Sequence, residues 1–374
     1  MPKGYIITKW TEEGLAVQLN YPDDIKIDLD DMMKVFYAHI TGAGEAGNVL
    51  VRLEKARSNV ASYFTGMDTD PPYMVNLMLE LGEDPEMFGE DNLREINEEI
   101  IEYLNKLKEN RAQAPEIVLD LREYLKNSLF FLERLKQLSK EQRMAQIYSN
   151  KKTRTIMEVL QERARSRKEL QNILEEKLDK IVSNLDITLD PFVKTDLIKQ
   201  DWIEGAADVF LFLQSDFVIM RAPPEKIVEE AKENKPNPSA AKKYLEELEK
   251  FFKEYKHSFE DNMVATKNMV NPDKYDYISL FRNKPYPMSK IPKGSGENMQ
   301  DIQDLLSEMI DDKILTIVKD KKGVEWVFLL TDPIAEKFFP EYMIENIRKD
   351  KMEGKLKKNI AIKHLNILEN AYPE

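Results

Sequence analysis

At 374 residues, with 42% apolar and 9% aromatic side chains, the chain is long enough for two or three domains with cores of their own. It has no cysteine, which excludes disulfides, thiolate metal sites and cysteine nucleophiles and suits a reducing cytosol. The net charge is −13 and the pI near 5.1, with 17 basic against 27 acidic side chains in residues 1–150, so the bulk field opposes phosphate-bearing partners.

The opening segment MPKGYIITKW carries no apolar core of signal length. No stretch approaches ~18 consecutive apolar residues, and no lipidation box is visible, so a soluble, cytoplasmic protein is expected. Tyr5–Trp10 reads as a strand, and Leu15, Val17, Leu19 and Tyr21 alternate with polar or small neighbours as a half-buried strand does. Glu12, Glu13 and Gly14 supply the turn between them. Asp30 or Asp31 is expected to cap a helix whose inward stripe is Met33, Phe36, Tyr37 and Ile40. Strands are predicted over Val49–Leu53, Val60–Phe64 and Tyr73–Leu81, the last with one core face of Tyr73, Val75, Leu77, Leu79 and Leu81. Helices are predicted over Leu93–Leu107 and Ile117–Leu138. The order strand, strand, helix, three strands, two helices, together with the segments GYIITKW, YP, YAHI and SYFTG, resembles the longin domain over about residues 3–138.

Beyond Ser139 a long charged helical stretch runs to Arg165, with Ile156, Val159 and Leu160 marking a first helix. Ser166 and Glu169 form a capping-box pattern ahead of Leu170, Ile173, Leu174 and Leu178. Asp190 and Pro191 are read as cap and first position of a third helix carrying Val193, Leu197, Ile198 and Trp202. Val209–Leu213 and Phe217–Arg221 are then expected to pair as a hairpin around Gln214, Ser215 and Asp216. Three helices and a ribbon over about 152–222 resemble a winged helix. Pro236 and Pro238 mark a linker. A charged helix over Ala240–Lys267 leads to a second, looser winged-helix resemblance over about 274–335: Tyr277–Phe281, Met299–Ile310, then Ile314–Val318 and Val324–Leu330 around Lys319–Gly323. Pro285, Pro287 and Pro292 leave its middle helix short or absent. Pro340–Leu368 reads as one or two charged helices. No sequence repeat recurs at a fixed period.

Gly42, Gly44 and Gly47 match the dinucleotide fingerprint G-x-G-x-x-G, but a helix precedes them and a strand follows. A helix C-terminus carries negative partial charge, so the nucleotide reading is rejected for a plain connection. His39, on the charged flank of its helix, and His257 and His364, in charged helical stretches, show no metal-ligand spacing. Paired carboxylates such as Asp23 with Asp24 and Asp311 with Asp312 read as caps or surface charge. A helix net acidic over Pro191–Ile203 makes a poor phosphate surface. The basic cluster lies upstream, at Lys151, Lys152, Arg154, Arg163, Arg165, Arg167 and Lys168, and reads as a solvated face or a contact for nucleic acid or an acidic partner. Phe210 and Phe212 alternate with Val209, Leu211 and Leu213, so they face either another module or a partner protein.

The expected fold is multi-domain α+β: a longin-like five-stranded antiparallel sheet with helices over 1–138, a connector and winged helix over 139–225, a proline-containing linker and charged helix over 226–273, and a second winged-helix-like unit with C-terminal helices over 274–374. No catalytic, metal or cofactor site is expected. The longin resemblance implies binding of a small GTPase or trafficking protein and a homodimer. Acidic winged helices serve as assembly modules in membrane-remodelling complexes such as ESCRT-II, and the Lys/Glu-rich, cysteine-free composition has an archaeal character. The leading expectation is a non-catalytic interaction scaffold. The alternative is a DNA-binding regulator with tandem winged helices and a sensor or dimerisation head.

Overall fold

The structure, a computed structural model, describes residues 2–41, 45–179, 182, 185–292 and 299–372. Two compact units divide the chain, Met1–Gln137 and Leu138–Glu374, so the three segments expected after residue 138 lie within one unit. Gly42 and Gly44 of the glycine motif lie outside the described residues.

In the first unit the strands β1 (Gly4–Thr11) and β2 (Gly14–Tyr21) form a hairpin and are followed by α1 (Leu29–Ile40). The meander β3 (Gly47–Leu53), β4 (Ser58–Phe64) and β5 (Tyr73–Glu80) comes next, then α2 (Glu90–Glu109) and α3 (Ala114–Lys136). All pairings are antiparallel, in the order β2-β1-β5-β4-β3. Gly4 has φ +144, and a Cβ there would strike the Tyr21 carbonyl, so β1 and β2 close on each other only with glycine at this position.

Three expectations shift here. The inward stripe of α1 is Met32, Val35, Phe36 and His39, one residue back from the expected one; Met33 and Ile40 flank it, while Tyr37 is 53% exposed. The cap position is Asp28, without a side-chain bond, because Asp31 is buried against the sheet and held by Lys34 at 2.7 Å. Strand β5 is buried on both faces, since α1 covers the face of Met74 and Met78 while α2 covers the other. A central strand between two helical layers has no polar face to alternate. Its Asn76 is accommodated by donating to the Ile6 carbonyl at 2.8 Å.

The second unit begins with α4 (Lys140–Ser149) and α5 (Lys151–Glu162), one charged stretch broken where Asn150 caps α5. The short β6 (Arg165–Ser166) leads to α6 (Arg167–Leu178), whose cap is Ser166 as expected from its spacing to Glu169. Helix α7 is Leu185–Lys194, so Pro191 lies inside its last turns and does not open it. The helix expected over 191–203 stops at Asp196, in the left-handed region with φ 56, and β7 (Ile198–Asp201) follows.

The hairpin expected over 209–221 does not form. Strand β8 (Phe210–Leu213) pairs with β7 and β6, while β9 (Asp216–Ala222) joins a different sheet. The amides of Gln214 and Ser215 both donate to the Leu197 carbonyl, at 2.9 and 3.3 Å, and this turns the chain out of the first sheet. The loop closing a strand pair is therefore Trp202–Val209.

After α8 (Glu225–Lys232) and α9 (Pro238–Glu254) the same order returns: α10 (Phe259–Val270), α11 (Pro272–Phe281), β10 (Tyr286–Pro287), α12 (Met299–Asp311), β11 (Leu315–Lys319), β12 (Glu325–Leu329), β13 (Asp332–Phe338), α13 (Glu341–Met352) and α14 (Lys358–Ala371). The charged helix expected over 240–267 is thus two helices, α9 and α10, separated at Tyr255–Ser258. Where the middle helix of the second half is expected to be short or absent, the described residues hold a 3-10 turn at Met288–Lys290.

The correspondence between the halves extends to single bonds. Sheet orders are β6-β8-β7 and β10-β12-β11. Asn150 caps α5 and Asn271 caps α11, each accepting from two backbone amides. Lys313 repeats the left-handed turn of Asp196 with φ 59, and Leu330 and Thr331 donate to the Ile314 carbonyl as Gln214 and Ser215 do to Leu197. Few side chains at these places are identical, which is why no sequence period appears.

The halves join by exchange. Strands β9 and β13 pair antiparallel, Asp216 opposite Phe338 and Asp332 opposite Ala222, so Ile219 and Ala335 sit on a local pseudo-two-fold axis. Helices α8 and α9, which follow the first half, pack on the sheet of the second: Tyr244 stacks on Phe328 at 4.5 Å and donates to the Leu329 carbonyl at 3.0 Å. Helices α13 and α14, which follow the second half, pack on the first: His364 meets Phe212 edge-on at 5.3 Å and donates to the Leu213 carbonyl at 2.7 Å.

Buried ions fix the join. Arg221 binds Asp261 through two nitrogens at 3.1 and 3.0 Å and donates to the Asp312 carbonyl at 2.8 Å. Arg282 donates to Asp332 at 2.8 Å and to both oxygens of Glu141 at 3.1 Å. Replacing Arg282 by Ala leaves two half-buried carboxylates facing each other, and it is expected to cost about 2–4 kcal/mol in urea unfolding of the full chain. A change under about 0.5 kcal/mol, the size of an ordinary surface substitution, would show that the network contributes nothing.

Candidate functional site

The side chains singled out in the sequence do not converge. Phe212 is 0% exposed, enclosed between the first-half sheet and α14, and so is corrected from a partner surface to core. Phe210 is half-buried beside it, with ring centroids 6.2 Å apart. The two aromatics do face another module, the exchanged helices.

The basic cluster is dispersed within the unit, and its Arg163, Arg165 and Arg167 are in ion pairs. Arg154 lies over Phe259 at 5.0 Å and donates to the Tyr148 carbonyl at 2.5 Å. Arg163 stands 3.2 Å from Asp350, close enough to pair in charge though not aligned for a hydrogen bond. Arg165 binds Glu162 and Glu169, and Arg167 binds Asp186 at 2.5 Å. The amide of Lys168 donates to Asp208 at 2.7 Å, and Lys151 is exposed while Lys152 is half-buried. This leaves a solvated face on which Arg163, Arg165 and Arg167 are paired with carboxylates while Lys151 and Lys168 stay exposed, less free positive charge than the seven cations of the sequence suggest.

The helices α7 and α12 are net acidic, and the loops after β7 and β11 are bonded at their bases, with Lys321 and Lys322 exposed at the tip of the second. Helix α7 closes its own charges, Lys194 on Asp190 at 2.7 Å. Helix α12 exposes Asp304, Glu308 and Asp311 and has no basic residue. The loop after β7 is held by α14, with Lys363 on Asp201 at 2.6 Å and Asn359 donating to the Glu204 carbonyl at 3.3 Å. The loop after β11 is held by α9 in the corresponding way, with Asn237 donating to Asp320 at 3.2 Å and Lys243 to the Lys319 carbonyl at 2.6 Å. Trp202 remains 63% exposed on the first of these loops.

The first unit carries a cleft of about 350 Å³ between β2, α2 and α3, lined by Val17, Leu19, Leu104, Leu107, Val118 and Leu121. Its rim is an ion pair of Arg122 with Asp23, and Arg122 also donates to the Asn20 carbonyl at 3.3 Å. That volume is at the lower end of small-ligand pockets, and its lining offers packing with a single fixed charge pair. Sequence reasoning missed it because the strand and the two helices that wall it lie about a hundred residues apart.

Among the described residues no group of three or more His, Asp or Glu stands close enough to hold a metal ion. The histidines are separated. His39, expected on a charged flank, is buried beside Phe64 with Nε2 2.9 Å from Ser62, and burial pushes its pKa down to about 4. His364 is also buried, and burial likewise lowers its pKa. Since a carbonyl only accepts, its Nε2 carries the proton. His257 is exposed, with Nε2 3.3 Å from the Ile219 carbonyl. No helix among the described residues is long and apolar enough to cross a membrane. No protein-family model matches the chain, and no curated protein matches it either.

His39 gives the first unit a pH dependence. Its folded pKa is depressed, so its contribution is complete above the unfolded value of 6.5 and is lost as pH falls toward about 4. The thermal midpoint of the full chain should therefore drop more steeply across this window than that of His39→Gln. Parallel curves for the two proteins would mean that His39 protonates in the fold without strain.

Proposed function

We propose that the chain is a non-catalytic protein-interaction scaffold, a longin-like first unit joined to a body of two winged-helix-like halves. The observation that carries this reading is the state of the parts with which winged helices read DNA. Both wing-like loops are bonded at their bases by helices of the same chain, and α12, in the recognition position, exposes Asp304, Glu308 and Asp311 and carries no basic residue. In its narrower form the scaffold is a cytoplasmic small-GTPase regulator or trafficking adaptor that dimerises through the first unit. What supports this is the resemblance of element order over residues 3–138 and the strand order β2-β1-β5-β4-β3 in a sheet covered by helices on both faces.

The charge division favours the scaffold over a DNA-binding regulator. Residues 1–137 carry 15 basic and 26 acidic side chains, and residues 138–374 carry 40 and 42. Neither total provides the excess of cations that counterion release needs. In fluorescence anisotropy at low salt, the full chain is expected to bind a short duplex no more tightly than about 10⁻⁴ M, the weak end of non-specific binding. Submicromolar binding with a steep salt slope would replace the scaffold by the regulator. Immobilised full chain should retain a small GTPase in one nucleotide state only, and equal or absent retention across both states removes the GTPase form of the proposal.

A further inference from the structure

The exchanged hairpins differ at their tips, and the difference is one of charge and reach. Pro224 precedes α8 and Pro340 precedes α13, with Ile227 and Met343 buried at the same step, so the two hairpins start alike. They also end alike, for the amide of Lys235 donates to the Glu230 carbonyl and that of Lys355 to the Asp350 carbonyl. Between these anchors α13 has 12 residues where α8 has 8, one extra turn, which carries the tip about 6 Å further out.

That turn and the loop beyond it read Arg348, Lys349, Asp350, Lys351, Met352, Glu353, Gly354, Lys355, Leu356, Lys357, Lys358. In a chain of net charge −13 this segment holds six cations against two carboxylates. The carboxylates are already engaged, Asp350 by Arg163 at 3.2 Å and Glu353 by Lys355 at 2.6 Å. Lys349, Lys351, Lys357 and Lys358 are exposed and in no ion pair among the described residues. Met352 stands among them at 79% exposure, the highest of any large apolar side chain described. At the corresponding tip of the first hairpin Glu229, Glu230 and Glu233 outnumber Lys232 and Lys235.

We propose that the tip of the α13–α14 hairpin is a contact site for an anionic lipid surface, with the four free lysines over the headgroups and Met352 entering the interface. The shape and composition favour lipid over a polynucleotide. A convex hairpin tip meets a flat surface at one end and cannot wrap a duplex, and the tip has no aromatic platform for bases. An exposed methionine gains nothing from a phosphate backbone but gains burial in an acyl boundary. The acidity of the rest of the chain does not oppose this contact, because charges more than about 8 Å away are screened at physiological salt. Each cation near such a surface is worth roughly a fivefold gain in partitioning. The site does not rest on the scaffold reading.

Sedimentation of the full chain with vesicles of phosphatidylcholine, and of phosphatidylcholine with phosphatidylserine at about three to one, tests the assignment. The chain should bind the second and not the first, and release with salt. Lys349→Glu with Lys357→Glu should lower partitioning by more than about tenfold, while Lys349→Arg with Lys357→Arg keeps it. Met352→Asp should weaken it beyond Met352→Ala. All these positions are exposed, so unchanged thermal midpoints establish that the variants fold. No binding to serine-containing vesicles, or equal binding by the Glu variant, overturns the proposal. Retention on duplex DNA that is lost with the same substitutions would mark a general polyanion patch and overturn the lipid assignment.

Discussion

The second unit depends on one constraint: each half buries its sheet under helices supplied by the other. The open face of β12 is closed by Tyr244 of α9 and that of β8 by His364 of α14, each side chain spending its polar atom on a strand carbonyl. A small three-stranded sheet with strands of two to five residues has too little apolar area to stand alone. The exchange supplies the missing layer, and the ribbon β9–β13 fixes the register between the halves. Arg221 and Arg282 then make that register specific, because any slip would part the buried Arg221 from Asp261 or the half-buried Arg282 from Glu141.

The same constraint shapes the available surface. Helices that close the sheets also run beside the loops after β7 and β11, so Asp201, the Glu204 carbonyl, Asp320 and the Lys319 carbonyl are bonded internally. What the exchange leaves exposed in the second unit includes Trp202 and the longer, basic hairpin tip. The two halves are alike where they hold each other and differ where they face solvent. The 3-10 turn at Met288–Lys290 and the extra turn of α13 both lie away from the pseudo-two-fold strands.

Local order was legible in the sequence where pattern and turn chemistry agree. All five strands and three helices of the first unit, and the cap at Ser166, follow from period and spacing. What was misread has a physical reason in each case. Asp190 and Pro191 look like a helix start, yet Pro191 is tolerated within α7, and the helix ends at the left-handed Asp196. Val209–Leu213 and Phe217–Arg221 look like a hairpin because they are adjacent strands, but hydrogen bonds to Leu197 from 17 and 18 residues downstream in the chain, at Gln214 and Ser215, send them to different sheets. The alternation of Phe210 and Phe212 marks a strand whose second face meets either another module or a partner, and the choice between them depends on α14, about 150 residues away. Charge counting flagged the cluster around Arg163 and overlooked Lys349–Lys358, since only the fold distinguishes paired cations from free ones.

Exchange within one chain is the central claim, and the absence of native cysteine makes it directly measurable. Cysteines placed as Asn237→Cys with Asp320→Cys, and separately Glu204→Cys with Asn359→Cys, would be treated with a short bismaleimide at low protein concentration. Rapid cross-links inside single molecules are expected for both pairs, seen as compact monomers on denaturing gels and as the corresponding linked peptides by mass spectrometry. Cross-links formed only between two molecules, or none at either pair, would contradict exchange within one chain.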